Sequence, residues 1–176
     1  QNLTILEYLT LQLRRVPCIQ DVIFAISEGP ENHPFHQIAQ KMKVPTVVGS
    51  EYDVLGRLIQ AADMVAAEHV FRVTTECPFI YLEDVQGIFD RHRKENADLT
   101  VIQHLPEGAY YELIRLSAFK RASHEMARQA NREFCTRHIK NNPSRYKVLI
   151  LDPPAELARP DIRLTVDFPE DLVLIR

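Results

Sequence analysis

Two acidic side chains each follow a short apolar run that has the length of a strand. Glu76 comes after the run 69–74, and Asp167 comes after the run 163–166. If both runs are parallel strands of one sheet, the two carboxylates lie on its carboxyl edge, where α/β proteins bind ligands. There they could share a magnesium ion that bridges nucleotide phosphates. The alternative is structural, because acids at strand ends also form turns, as Glu76 would before Pro78.

The residues after Asp167 predict the start of a helix. Proline stands at position 169, and Glu170 and Asp171 follow it. Proline is favoured in the first helical turn, and acidic side chains there stabilise the positive end of the helix dipole. Asp167 is therefore predicted to lie where a strand passes into a helix, which is also compatible with an ordinary polar cap.

The remaining apolar patterns alternate between strand and helix. Short apolar runs predict strands at 21–27, 44–48, 69–74, 99–102, 111–116, 146–151 and 163–166. Helical spacing and capping residues predict helices at 3–16, 34–42, about 51–67 after Ser50 as N-cap, 82–96, about 118–130 after Ser117 as N-cap, and 133–140. This alternation predicts a three-layer α/β domain with a largely parallel sheet.

Composition limits the class of protein. The chain has 176 residues, of which 45% are hydrophobic and 26% charged, and this suits one domain, residues 1–176, with one sizeable core. The net charge of −3 argues against nucleic acid as a partner. The three cysteines match neither a disulfide framework nor a zinc spacing, which predicts a reducing compartment. Since no apolar run has the length of a membrane span, we expect a cytoplasmic protein without a membrane partner.

Several common site motifs are missing from the sequence. The five glycines form neither a dinucleotide fingerprint nor a phosphate-binding P-loop. The seven histidines include no pair four residues apart, so the sequence does not indicate a zinc site. No serine has the context of a nucleophile elbow. The strand-end carboxylates are therefore the strongest candidates for a site.

Five segments, in order and across nearly the whole chain, share a more specific pattern. They are Gly49-Ser-Glu-Tyr-Asp-Val-Leu-Gly-Arg57, Arg72-Val-Thr-Thr-Glu-Cys-Pro-Phe-Ile80, Arg132-Glu-Phe-Cys-Thr136, Asn142-Pro143 and Arg163-Leu-Thr-Val-Asp-Phe-Pro-Glu-Asp171. Together they resemble the cytidylyltransferases that make CMP-activated acidic sugars, and most of all the branch of spore-coat polysaccharide biosynthesis. The first and the last of the long segments carry the most specific likeness.

The resemblance implies a Rossmann-like nucleotidyltransferase fold of the nucleotide-diphospho-sugar transferase type, with a mostly parallel mixed sheet. It implies an enzyme that uses magnesium to transfer CMP from CTP to the hydroxyl of an acidic sugar, with release of pyrophosphate. Glu76 stands at the position of the aspartate in the family's Gly-Asp-Cys-Pro turn, and Asp167 matches the second metal-binding carboxylate. Arg57, with Ser50 and Asp53 in the same motif, would lie beside the nucleotide and the sugar and act in catalysis. A homodimer is an assembly that the resemblance allows.

The sequence departs from the family pattern at three places near the implied site. Thr75-Glu76 replaces Gly-Asp, Tyr110 replaces an acid, and Phe134-Cys135 replaces His-Val. These changes predict either an altered sugar substrate or a catalytically decayed domain that binds a nucleotide sugar or a partner enzyme. A third alternative is an interaction or dimerisation module on the same scaffold. A related glycosyltransferase is disfavoured, because no Asp-x-Asp occurs in the chain.

The family also begins with a strand and a phosphate-holding loop that have no counterpart in this sequence. We expect that strand to lie in the middle of the sheet, so that its absence would expose strand edges and apolar faces. The expectation is therefore a single nucleotidyltransferase-like domain without the N-terminal strand and phosphate loop, with upstream residues in the parent protein.

Overall fold

Strands and helices alternate along the chain, as the sequence predicted. The computed structural model describes residues 3–126 and 132–174. Within them the strands are β1 Phe24–Ser27, β2 Thr46–Gly49, β3 His69–Arg72, β4 Leu99–Ile102, β5 Glu112–Arg115 and β6 Val148–Leu151. The α-helices are α1 Ile5–Leu13, α2 His33–Met42, α3 Val54–Met64, α4 Val85–Lys94, α5 Leu116–Glu125, α6 Arg137–Lys140 and α7 Pro169–Leu174, and 3₁₀ turns cover Pro30–Asn32 and Ala155–Leu157. Among these residues, no helix combines the length and apolar character needed to cross a membrane.

The strands form two groups. β1 and β2 form a parallel pair, and the other four strands form a mixed sheet in the order β3-β5-β4-β6. β4 and β6 run parallel, whereas β5 runs antiparallel to both of its neighbours. The register places Arg72 opposite Glu112 and Leu99 opposite Ile114. The direction of β5 could not be read from the sequence, because a run that is buried on both faces has no period that reports its partners.

Neighbouring residues of the central strands face opposite sides of the mixed sheet. On β5, Ile114 packs in a core with helices α3 and α5, and Leu113 packs in a core with α4. Leu99 and Ile102 on β4 divide between the same two cores. This alternation follows the two-residue period of a strand and gives three layers of helix, sheet and helix. The predicted three-layer α/β class is confirmed.

Two helices near the amino terminus begin at capping side chains. Thr4 and Glu7 form a capping box at α1, because each side chain accepts the backbone N–H of the other residue. At α3 the N-cap is Asp53, whose Oδ1 accepts a first-turn amide at 2.9 Å. The prediction of Ser50 as this cap is wrong, since Ser50 Oγ accepts from the Tyr52 amide outside the helix.

Three other predicted elements differ in the structure. The segment 163–166 is not a strand, because it bonds to two loops, and within it only Arg163 forms a bridge, with Glu107. α5 begins at Leu116 directly after β5, so Ser117 lies inside the helix, and residues 127–130 of the predicted helix lie outside the described residues. The helix predicted at 133–140 is reduced to α6, since the chain before it forms turns.

A long cleft separates β1 from β3. Its volume is about 1170 Å³, and residues of β1, β3 and α3 line it. In the described part of the chain, β1 pairs only with β2 and β3 pairs only with β5. The two groups of strands therefore face each other across a gap that is bordered by unpaired backbone groups.

Candidate active site

Two of the predicted site residues line the cleft between β1 and β3. They are Arg57 from α3 and Glu76 from the turn after β3. Arg57 Nη1 donates to the Ala25 carbonyl oxygen at 2.8 Å, while the buried Nε has no hydrogen-bond partner among the described residues. Burial lowers the pKa of this guanidinium, against the opposing charges of Asp53 and Glu51. Arg57 is therefore a partly desolvated cation with an unused donor, and such a group favours an anionic ligand.

Asp167 lies next to Glu76, although no strand precedes it. The Val166 amide donates to the Glu76 carbonyl oxygen at 2.8 Å, and this bond joins the two chain segments. Asp167 Oδ2 accepts hydrogen bonds from Arg163 Nη1 at 2.8 Å and from Thr165 Oγ1 at 2.7 Å. The two acids are thus brought to one region by a contact between loops, and the strand-end geometry predicted for Asp167 is wrong.

The buried thiol of Cys77 lies within the electrostatic reach of both acids. Burial raises the pKa of Cys77, and the charges of Glu76 and Asp167 raise it further. Thr74 Oγ1 lies 3.2 Å from the sulfur. Both carboxylates therefore act on one small region after β3, and the thiol there is protonated at neutral pH.

This region can supply two carboxylates to a divalent cation. The Glu76 carboxylate makes no hydrogen bond or ion pair within residues 3–126 and 132–174, whereas Asp167 is paired with Arg163. In the same residues, no group of three or more His, Cys, Asp or Glu side chains is arranged to hold a metal ion. Magnesium in nucleotide sites is commonly bound by one or two protein carboxylates, with phosphates and water as the other ligands. The donor set therefore fits a cation that arrives with phosphates better than a permanent metal centre.

Ser50 and Asp53 lie at the start of α3, and neither is among the described residues that line the cleft. Asp53 forms an ion pair with Arg132, and the Arg132 amide donates to the Tyr52 carbonyl oxygen at 2.8 Å. Arg132 Nη1 also donates to Ser123 Oγ at 2.8 Å. These contacts join two of the segments that carry the family resemblance. Asp53 thus caps α3 and anchors the chain before α6.

A buried ion network that the sequence analysis did not predict lies at the same end of β3. Glu112 is 5% exposed, and its carboxylate accepts from Arg72 Nη1 at 2.9 Å, Lys140 Nζ at 2.7 Å and Thr136 Oγ1 at 2.8 Å. Burial acts to raise the pKa of Glu112, but the charges of Arg72 and Lys140, with the hydrogen bonds, hold it below its ordinary value. Finding this pair from sequence would require the antiparallel register of β3 and β5, which no local signal provides.

Asp171 holds the segment around Asp167 in place. Its Oδ2 accepts from the backbone amides of Asp167 and Phe168 at 2.9 and 3.0 Å, and its Oδ1 accepts from Arg163 Nη2 at 2.5 Å. The two amide bonds, and after them Arg163, hold the pKa of Asp171 below its ordinary value. This arrangement is the carboxylate half of a capping box at α7. The predicted helix start, with Pro169 as its first residue, is confirmed.

The positions that depart from the family pattern place aromatic rings around this region. Tyr110 is 47% exposed, and burial, followed by the charge of Cys77, raises its pKa. Phe134 is 59% exposed and lines the cleft. The Arg137 guanidinium lies over its ring, 4.0 Å from the ring centre. Cys135 is fully buried, as expected for a small apolar residue, and burial raises its pKa.

The chain is similar in sequence to two longer proteins. It is 29% identical over 170 residues to the uncharacterized protein MJ1063 of Methanocaldococcus jannaschii, and the match covers 97% of this chain and 70% of MJ1063. It is 30% identical over 129 residues to the spore coat polysaccharide biosynthesis protein SpsF of Bacillus subtilis, over 73% of this chain and 54% of SpsF. The match therefore spans about half the length of SpsF. No protein-family model matches the chain.

Solved structures share the fold. A cytidylyltransferase from Leptospira borgpetersenii matches with a TM-score of 0.84 at 22% identity, over 98% of this chain and 74% of that protein. A CMP:2-keto-3-deoxy-manno-octonic acid synthetase complexed with CTP matches with a TM-score of 0.68 at 10% identity, over 97% and 85% of the two chains. The manganese complex of Rv0371C from Mycobacterium tuberculosis matches with a TM-score of 0.64 at 15% identity, over 99% and 86%.

The sequence motifs, the relatives and the fold agree. The predicted Rossmann-like nucleotidyltransferase fold is confirmed by these structures. Four of the five segments that carry the resemblance contribute a residue to the cleft or a contact with Glu76, and SpsF supplies the sequence relationship. The chain is therefore similar in sequence to SpsF and shares its fold with solved cytidylyltransferases.

Proposed function

We propose that this protein transfers CMP from CTP to the hydroxyl group of an acidic sugar and releases pyrophosphate, in the synthesis of a polysaccharide or glycoconjugate. The observation that carries the proposal is the cleft that Arg57 shares with Glu76, with Asp167 beside Glu76. Transfer of a phosphoryl group depends on positioning and charge neutralisation, which require cationic donors and a metal ion together. The cleft combines a desolvated guanidinium with the carboxylate of Glu76, and the carboxylate of Asp167 lies beside it.

In the proposed reaction, the sugar hydroxyl oxygen bonds to the α-phosphorus of CTP, and the bond from that phosphorus to the pyrophosphate oxygen breaks. The hydroxyl proton leaves to the surrounding water. Arg57 would bind phosphate oxygens through its unpaired donors and orient them. Glu76 and Asp167 would hold magnesium, which neutralises phosphate charge when it is bound. The CTP complex and the manganese complex of proteins with this fold support both ligands.

We also propose that a further strand completes the sheet between β1 and β3 and leads into a phosphate-holding loop. The support is the gap itself, because both bordering strands have unpaired edges and apolar side chains line the space between them. A strand there would satisfy both edges. In the parent protein, upstream residues would supply it. Intact mass spectrometry of the native protein tests this proposal, since a mass equal to the 20.3 kDa of this chain would overturn it.

A second candidate function is binding of a nucleotide sugar or a partner enzyme without turnover. It is favoured by Asp167, whose Oδ2 is occupied by Arg163 and Thr165. It is also favoured by Tyr110, because a phenol is a poor metal ligand at neutral pH. In this case the cleft would retain nucleotide affinity and lose the ability to place the metal ion.

Calorimetric titration of the longest native form with CTP, UTP and ATP, with and without magnesium, tests the two candidates. Selective, magnesium-dependent CTP binding with pyrophosphate release in the presence of acidic sugars is the expected result. Glu76→Ala should abolish release, whereas the matched control Glu83→Ala, at an exposed acid in the following loop, should not. CTP binding without release favours the second candidate, and the absence of nucleotide binding overturns both nucleotide-based proposals.

Two further expectations belong to the same proposal. CTP is an intracellular nucleotide, so we place the reaction in the cytoplasm. A homodimer is the proposed assembly, and sedimentation of the native protein at micromolar concentration tests it. A single species with the mass of one chain would contradict the dimer and leave the proposed reaction unaffected.

A further inference from the structure

We propose that Arg72 binds the carboxylate of the acidic sugar, and that Glu112 and Lys140 position and charge it for this role. The inference rests on the proposed function and names the part of the cleft that recognises the acid. It assigns a substrate contact to a residue that the sequence placed inside the predicted strand 69–74.

The first support is the geometry of Arg72. It is the last residue of β3, it lines the cleft, and its side chain is 25% exposed. One N–H of its Nη1 is held by Glu112 at 2.9 Å, and its other N–H groups donate to no group among the described residues. A guanidinium has five donors in a fixed fork, so one carboxylate can hold it while a second is bound bidentately.

The second support is the charge balance of the network. The single carboxylate of Glu112 faces two cations, Arg72 and Lys140, so these three side chains together carry one excess positive charge, and the charge of Glu76 also acts on Arg72. Two other arginines near the site are already neutralised. Arg163 pairs with two carboxylates, and Arg132 pairs with Asp53. Arg72 therefore shares Glu112, its only carboxylate partner among the described residues, with Lys140. An anionic group of the substrate would balance the remaining positive charge.

The third support is the surface around Arg72. The charge of Arg72 acts on the Tyr110 hydroxyl, which places that half-exposed ring in the same region. Phe134 lines the same cleft with an exposed ring. A sugar acid has a charged carboxylate and an apolar C–H face, and aromatic rings beside a cation suit both parts. An ion pair that served only to join β3 to β5 would not require a second cation.

The test measures how strongly the longest native form prefers an acid to its neutral ester. The probes are 2-keto-3-deoxy-manno-octonic acid and N-acetylneuraminic acid, and each is compared with its methyl ester by calorimetry. Magnesium and a non-hydrolysable analogue of CTP are present in every titration. We expect the protein to bind at least one acid roughly tenfold more tightly than its ester, as for a desolvated charge-assisted contact. Arg72→Met should remove this preference, and Arg72→Lys should restore part of it.

Two further variants separate recognition from folding. Lys140→Met leaves Glu112 to neutralise Arg72 alone, and the half-exposed Lys140 can be replaced without opening the core. We expect this variant to lose a large part of the preference for the acid, with ester binding unchanged. Arg121→Met, which breaks the Arg121 pair with Asp98 away from the cleft, is the matched control and should keep the full preference.

The outcomes distinguish this inference from the proposed function. If CTP binds and pyrophosphate is released while Arg72→Met and Lys140→Met keep the preference, the inference is wrong and the function stands. If CTP does not bind but an acid binds in an Arg72-dependent manner without the analogue, the inference stands and the cytidylyltransferase function falls. If neither acid is preferred to its ester by the unmodified protein, the inference is overturned directly.

Discussion

The backbone amide of Val166 donates a hydrogen bond of 2.8 Å to the carbonyl oxygen of Glu76. Two further bonds hold the preceding part of the segment, because the Leu164 amide donates to the Glu107 carbonyl oxygen at 2.7 Å and the Glu107 amide donates to the Ile162 carbonyl oxygen at 2.9 Å. Asp167 is therefore positioned by a stretch of chain that lies between two loops and has no strand partner. Its distance from Glu76 depends on how closely these loops approach each other.

Gly108 controls that approach, and Gly108→Ala should disturb it. Gly108 has φ +87°, and a Cβ atom there would lie 2.8 Å from Thr165 Cγ2 and 2.9 Å from the Thr165 nitrogen. We expect Gly108→Ala to lower the free energy of unfolding by about 2 kcal/mol, because of backbone strain and displacement of the 164–165 segment. Urea unfolding measures the loss. The control is Gly87→Ala inside α4, where helix propensity favours alanine and a Cβ atom would displace only the exposed side chain of Asp84. Equal stability of the two variants would contradict the prediction.

Replacing Glu112 should destabilise the protein more than replacing a surface acid. Glu112→Gln keeps the shape of the side chain but leaves Arg72 and Lys140 without their carboxylate. We expect a loss of about 3 kcal/mol in the free energy of unfolding, as for a broken buried ion network. Glu95→Gln, which breaks a surface pair with Arg91, should cost less than about 1 kcal/mol. Similar losses for the two variants in thermal or urea unfolding would show that solvent already screens the Glu112 network.

Local signals predicted much of the fold, and tertiary contacts decided the rest. The strand Leu99–Ile102 and the helix start at Pro169 agree with the sequence, because apolar run length and proline preference act within a few residues. Strand direction, the Arg72–Glu112 pair and the loop contact at Val166 depend on chain segments that are far apart in sequence. Their residue types are ordinary, so no local pattern distinguishes them.

The candidate site divides in the same way. Glu76 and Asp167 were predicted from their positions after apolar runs, and Arg57 from the resemblance; in the structure Arg57 and Glu76 line one cleft, and Asp167 lies beside Glu76. Ser50 and Asp53 belong to the same motif but lie outside the residues that line this cleft. The sequence predicted Ser50 as the N-cap, but α3 begins after Asp53, which caps the helix and pairs with Arg132.

Buried His92 should make the protein less stable in mild acid. Its Nδ1 lies 2.8 Å from Thr100 Oγ1 and its Nε2 lies 3.1 Å from His69 Nδ1. Burial, followed by the charges of His69 and Arg115, lowers the pKa of His92 to about 4 from an ordinary 6.5. Between these values the unfolded chain binds a proton that the folded chain does not. Stability that is present above pH 6.5 is therefore lost as the pH falls toward 4, by up to about 1.4 kcal/mol per pH unit.

Urea unfolding at a series of pH values between 4 and 7 measures this loss. His92→Gln can keep hydrogen bonds to Thr100 and His69 and does not titrate, so it should flatten the curve. Burial also lowers the pKa of His69, so His69 will leave a residual dependence of stability on pH in this variant. The control His124→Gln, at an exposed position, should keep the slope of the unmodified protein. An unchanged slope in His92→Gln would show that His92 does not cause the loss of stability in mild acid.

Asp53 has two separable roles at the start of α3. Its Oδ1 accepts the Gly56 amide at 2.9 Å, and its Oδ2 pairs with Arg132. Asparagine can cap a helix as well as aspartate but carries no charge. We expect Asp53→Asn to cost about 1 kcal/mol through the lost ion pair, and Asp53→Ala to cost about 2 kcal/mol through loss of both contacts.

Chemical denaturation of the two Asp53 variants measures this difference. Asp84 is the N-cap residue of α4 and makes no side-chain capping bond, so Asp84→Ala serves as the control. It should change the free energy of unfolding by less than about 0.5 kcal/mol. If the asparagine and alanine variants at position 53 lose the same stability, the cap contributes nothing and the ion pair accounts for the whole effect.

Tyr111 carries a buried hydroxyl that the fold does not use, and its removal should stabilise the protein. The side chain is 2% exposed and stacks on Phe71, with ring centroids 4.3 Å apart. Its hydroxyl has no hydrogen-bond partner among the described residues. An unsatisfied buried polar group costs about 1–3 kcal/mol, so Tyr111→Phe should raise the free energy of unfolding by about 1 kcal/mol while the ring packing is kept.

Tyr146 provides the matched comparison for this substitution. It is equally buried, but its hydroxyl donates to Glu125 Oε2 at 3.0 Å. Tyr146→Phe should therefore lower the free energy of unfolding by about 1 kcal/mol, because it leaves a carboxylate with one donor fewer. Urea unfolding of both variants at one pH should show that the two changes in the free energy of unfolding have opposite signs. A loss of stability in Tyr111→Phe as large as that in Tyr146→Phe would mean that the Tyr111 hydroxyl is satisfied, for instance by a bound water molecule.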